Sequence, residues 1–93
     1  MNRIERRLLR INDEILRLQR EEEIAEAELN LHRHLADDAV RDAAVYGGLE
    51  QAEARDASKD VTALQRALEE TRSRLRRLEE KREGLLRRLD ASR

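Results

Sequence analysis

Few side chains in this chain have a type and spacing that could support chemistry. His32 and His34 are the only histidines, and Asp37, Asp38 and Asp42 gather just after them in "HRHLADDAVRD". Histidine and carboxylate together could ligate zinc, and clustered carboxylates could hold magnesium. Geometry works against the first case. Two helical residues spaced i, i+2 point to different faces, whereas ligands of one ion sit at i, i+4. His32 is therefore read as a polar residue tolerated within a helix contact. The sequence has no cysteine, so it offers neither a thiol nucleophile nor a cysteine-based metal site. It also contains no GxSxG, phosphate loop, HExxH or GxGxxG. Catalysis, a metal and a cofactor are not expected.

Charge is more informative than chemistry. Residues 1–20 carry six arginines against three acids, and residues 72–93 carry nine Lys/Arg against four acids. Residues 36–60 reverse the sign, with seven acids against three bases, and "EEEIAEAE" adds more negative charge ahead of them. Partners of opposite sign are thereby invited at either pole. The arginine-rich segments have no interleaved aromatics or glycines, so nucleic acid is not the expected partner.

These residues must be positioned by helices. Charged residues make up 44% of the 93-residue chain, aromatics only 1%, and proline is absent. Ala, Glu, Leu and Arg dominate, a profile of long helix or coiled coil. The period agrees. Ile4, Leu8, Ile11, Ile15 and Leu18 are spaced 4, 3, 4, 3, and the rule continues through Glu22, Ala25, Leu29, His32, Ala36, Ala39, Ala43 and Tyr46. Val61, Leu64, Leu68, Thr71, Leu75, Leu78, Arg82, Leu85 and Leu89 alternate 3 and 4 in the second half. Each series is a heptad seam.

Paired antiparallel, the two seams match wherever residue numbers sum to 93. Ile4 meets Leu89, Leu8 meets Leu85, Ile15 meets Leu78 and Leu18 meets Leu75; further in, Leu29 meets Leu64 and Ala36 meets Ala57. The large layers lie near the termini and the alanine layers near the middle. The reversal falls on Gly47 and Gly48, which adopt positive φ without a Cβ clash. Within one continuous helix the pair would cost about 2 kcal/mol relative to alanine. The expected fold is all-α: a single antiparallel coiled-coil helical hairpin over residues 1–93, with arm 1 about 3–45, a tip at 46–49 and arm 2 about 50–91. Asp37, Asp38, Asp56 and Ser58 are potential N-caps, so a kink or a short extra helix is an open alternative within 36–60. Asp13–Arg17, Glu70–Arg74 and Glu83–Arg87 are spaced to pair along the helices, each contributing about 0.2–0.5 kcal/mol.

One seam cannot bury everything apolar. Leu9 and Leu16 fall one position off the first seam and Leu86 one off the second, with Ile24, Leu31 and Leu35 adding further bulk. Leu9, Leu16 and Leu86 are the expected oligomer interface, joining two hairpins into a four-helix-bundle homodimer. Because that brings two basic ends together, the dimer should tighten as salt screens them.

A coiled-coil finger with acids near its tip resembles the rod of Gre-type transcript-cleavage factors and their DksA-like relatives. The resemblance implies a regulator that inserts its tip into RNA polymerase and presents carboxylates to the catalytic magnesium. Asp37, Asp38 and Asp42 are the residues to compare, but their spacing follows neither family, and the second globular domain and zinc-ribbon cysteines are missing. The Tyr46-Gly47-Gly48 centre is similar to that of the secreted WXG-type hairpins, with tyrosine in place of tryptophan. The residues themselves favour a non-enzymatic interaction or scaffold protein acting through self-association and partner docking. The opening "MNRIERRLLRINDEILRL" holds no apolar block long enough for a signal peptide or membrane span. A cytoplasmic protein with no membrane contact is expected.

Overall fold

The computed structural model describes residues 1–92; Arg93, the last residue of the expected hairpin, lies outside them. Two helices account for nearly all of these residues. Helix α1 spans Arg3–Tyr46 and α2 spans Leu49–Ala91, and the chain doubles back between them as a helical hairpin. No strand occurs among the described residues.

Local chemistry sets the ends of each helix. The Asn2 Oδ1 accepts a hydrogen bond from the Glu5 backbone N–H at 2.8 Å, which satisfies one of the unpaired donors of the first turn. Glu5 also brings negative charge to the positive end of the helix dipole. At the far end the Gly47 N–H donates to the Ala43 carbonyl at 3.0 Å, closing α1 just as the backbone turns left-handed. Gly47 and Gly48 have φ of 66° and 60°. The Gly47 and Gly48 carbonyls then accept from the Glu50 and Gln51 N–H groups at 3.2 and 3.1 Å, starting α2 at once. The reversal uses only two residues, fewer than the four expected. A Cβ at either glycine would meet nothing within 4 Å, so their requirement is conformational and not one of space.

None of Asp37, Asp38, Asp56 and Ser58 interrupts the helix that contains it. Asp37 and Asp38 lie inside α1, where Asp38 accepts from Arg41 Nη2 at 2.6 Å instead of capping a new helix. Ser58 lies inside α2, its carbonyl accepting from Thr62 Oγ1 at 3.1 Å. The seam residues Ala36, Ala39, Ala54 and Ala57 remain at least partly buried through this stretch, so the heptad pattern continues past every potential cap.

Packing divides the hairpin into two units. One combines Met1–Glu22 with the part of α2 from Glu70 onward, and the other is Glu23–Glu69, which includes the turn. In the first unit Leu18 is fully enclosed, and it forms a core with Ile15 and Leu75 against which Ile11 and Leu78 pack. Leu8 and Leu85 are buried in the same unit. This is the sum-of-93 register. Arg72 donates to Glu22 at 3.0 Å and Arg82 to Asn12 at 3.4 Å, and both bonds cross between the helices close to that register. In the second unit the buried residues are Leu29, Leu68, Ala36 and Ala54, so small side chains supply half of the core.

The difference between the units should appear in their response to truncation. Leu18→Ala leaves a cavity in a closed layer and is expected to cost about 2–5 kcal/mol. Ala54→Ser should cost far less, which denaturant melts of the two variants would compare directly. Gly47→Ala is expected to cost about 1–2 kcal/mol through left-handed strain alone. Gly84→Ala, in the body of α2 with room for a methyl group, should instead add up to about 1 kcal/mol of stability. Equal effects at the two glycines would contradict the assignment of the turn.

Candidate interaction surface

The histidines are placed by α1 on different faces. His32 occupies the seam and is half-buried, whereas His34 is exposed. The His34 Nδ1 lies 2.8 Å from the Asn30 carbonyl, an acceptor only, so that nitrogen carries the donated proton. Among the described residues no three His, Cys, Asp or Glu side chains come together as a metal-binding group. Asp37, Asp38 and Asp42 are all exposed. Asp38 is paired with Arg41, and the Asp37 carbonyl accepts from Arg41 Nε at 3.5 Å. At 1.5 Å per residue Asp37 and Asp38 stand roughly 14 Å back from the turn. Asp37 lines a shallow groove with Arg33, Ala36, Val40, Ser58 and Val61, where small side chains leave the helices incompletely filled.

The extreme of the turn is apolar. Val45, Tyr46 and Leu49 flank the two glycines and are 74%, 73% and 72% exposed. Tyr46 was expected to end the first seam, but the half-buried series stops at Ala43. The chain turns back immediately after Tyr46, and its side chain stays largely in solvent. A tyrosine at a seam position looks like core by spacing alone; the reversal that starts at the next residue makes it an end residue, consistent with the expected tip at 46–49. The unit around it is strongly acidic, with eleven Asp/Glu against five Lys/Arg over residues 23–69.

The leucines expected at an interface lie in the other unit. Leu9, Leu16 and Leu86 are exposed to 51%, 55% and 45%. Each directly follows a buried seam residue: Leu8, Ile15 or Leu85. On antiparallel helices wound around one another these positions fall on the same flank. The surroundings are basic. Arg3, Arg6 and Arg10 line a shallow groove with Leu9, all four on α1.

The ion pairs partly follow their expected spacing. Glu83 and Arg87 approach to 4.0 Å. Arg17 instead turns to Glu14 at 3.7 Å, and Arg74 reaches across to the same Glu14 at 4.0 Å. A long arginine beside the seam finds a carboxylate on the facing helix as readily as one on its own. Most of these pairs are exposed and contribute little; Glu22–Arg72, less exposed than the rest, is worth about 0.5–1 kcal/mol.

Comparisons with protein-family models, curated proteins and solved structures give no match to this chain. No helix among the described residues is long and apolar enough to cross a membrane.

Glu22 occupies a seam position, so its charge displaces an apolar layer. Removing one partner of an ion pair is costly only where the remaining charge is buried, and the Arg72 side chain is 39% exposed and stays hydrated. Glu22→Leu should therefore leave the melting midpoint unchanged or raise it, while Glu22→Ala should lower it. A clear loss of stability in Glu22→Leu would mean that the pair with Arg72 organises this layer more than packing does.

Proposed function

We propose that this chain is a non-enzymatic scaffold or interaction hairpin that self-associates and docks partners. The observation that carries this reading is the row of Leu9, Leu16 and Leu86, about half exposed beside a seam that already buries its own residues. Folding of one hairpin has no further use for them. A second molecule does.

The magnitude bounds the strength of such a contact. Full burial of a leucine contributes about 1.5–3 kcal/mol, and these three are already half covered, leaving about 1 kcal/mol each. Association must offset lost translation and rotation of at least about 4 kcal/mol. A contact built on a few such side chains then supports only weak, concentration-dependent self-association. A highly charged surface and helices too polar to cross a membrane suit an aqueous setting, which we take to be the cytoplasm.

Sedimentation of the unmodified chain beside Leu9→Glu/Leu16→Glu tests this reading. The parent should shift from monomer toward dimer as concentration rises, and the double variant should remain monomeric with unchanged helix content. A parent that stays monomeric throughout the series, or a variant that dimerises equally well, would remove the leucines from the interface.

A further inference from the structure

We propose that the apolar turn of one copy docks on the arginine-lined groove around Leu9 of a second copy. This rests on self-association as the function and specifies which surface covers which. Leucines meeting leucines is the simpler arrangement, but two observations point away from it. The first is the distribution of unburied apolar surface. Val45, Tyr46 and Leu49 are each nearly three-quarters exposed, against about half for Leu9, Leu16 and Leu86. A contact between two leucine rows leaves the more exposed patch in water. A contact between the turn and Leu9 covers the more exposed patch and part of the leucine row.

The second observation is charge. Residues 1–22 and 70–93 together carry fifteen Lys/Arg against ten acids, so two such units repel when they meet. The turn unit has an excess of acids, with Asp42, Glu50 and Glu53 within a few residues of the glycines. The groove it would enter is lined by Arg3, Arg6, Leu9 and Arg10. Each component has a counterpart there. Leu49 and Val45 match Leu9, and the carboxylates match the arginines around it. Tyr46, the chain's one aromatic residue, offers a ring face on which arginine stacks. A contact between two different surfaces of identical chains is heterologous in kind, and the same pairing can be made by every copy in turn.

The test uses the full chain and two double variants at exposed positions, Tyr46→Lys/Leu49→Lys in the turn and Arg6→Glu/Leu9→Glu in the groove. Circular dichroism checks that both remain helical. In sedimentation velocity each variant alone should associate at least tenfold more weakly than the parent. An equimolar mixture should recover association, because one variant keeps an intact turn and the other an intact groove. Raising salt from about 0.05 to about 0.5 M should weaken the parent's association, since opposite charges are screened; contact between two basic ends would instead tighten. A turn variant that associates like the parent overturns the proposal and leaves self-association standing. A mixture without recovery, or association that tightens with salt, also overturns it. A parent that never associates overturns both readings together. Because no cysteine occurs among the described residues, single Tyr46→Cys and Arg6→Cys chains give an independent measurement. Oxidation of their mixture should yield mainly the 46-to-6 cross-link, and a predominance of 6-to-6 would contradict the assignment.

Discussion

The governing constraint is that two helices share one seam. A heptad offers two inward positions in seven, so a chain with only two helices cannot enclose a conventional core. Its interior is a file of Leu, Ile and Ala layers, and every other position meets solvent. This explains the 44% charged composition directly. Charge is excluded only from the file, and even there Glu22 and Arg82 are tolerated, because both remain half-exposed and reach partners on the facing helix. Polar residues that a globular core would reject stay near water here.

The strength of the file is unevenly distributed. The layers nearest the turn in sequence are built from alanine, and those of large side chains join residues far apart in the chain, such as Leu18 and Leu75. Closing a longer loop carries only a slowly rising entropic cost, so the distant layers hold the greater share of stability. The turn contributes little apolar burial of its own. Its glycines remove an obstacle to reversal, while the driving force for pairing comes from the other unit. Such an arrangement places the most easily opened part of the hairpin around 36–57, where buried contacts are smallest.

Much of this was legible in the sequence because coiled-coil periodicity is regular. The 4-3 spacing gave the inward faces, and two independent seams agreed on one register about Gly47 and Gly48. What the residues did not reveal came from context that periodicity lacks. Asp37, Asp38 and Ser58 have cap chemistry, yet capping requires the helix to stop, and the alanine seam gave it no reason to. Arg17 and Arg74 both reach Glu14, because an arginine is long enough to take an i,i+3 carboxylate in place of an i,i+4 one, or one on the facing helix. For the surface, sequence separated off-seam leucines from seam leucines, but exposure was needed to show that the apolar side chains at the turn are the more exposed. The same periodic logic says nothing of which outside partner a surface meets.

The two-residue turn also restricts how this protein can change in evolution. With no loop to absorb a difference in length, a residue inserted in one helix displaces that helix against its partner from the insertion outward. Every layer beyond it would then exchange an inward side chain for an outward one. An indel survives only when it preserves the heptad phase and is matched by a compensating indel at the mirrored position in the other helix. Relatives of this chain should therefore differ from it in steps of about seven residues taken twice, while substitutions on the charged faces accumulate freely. The spacing of each layer from the turn would be the slowest of its characters to drift.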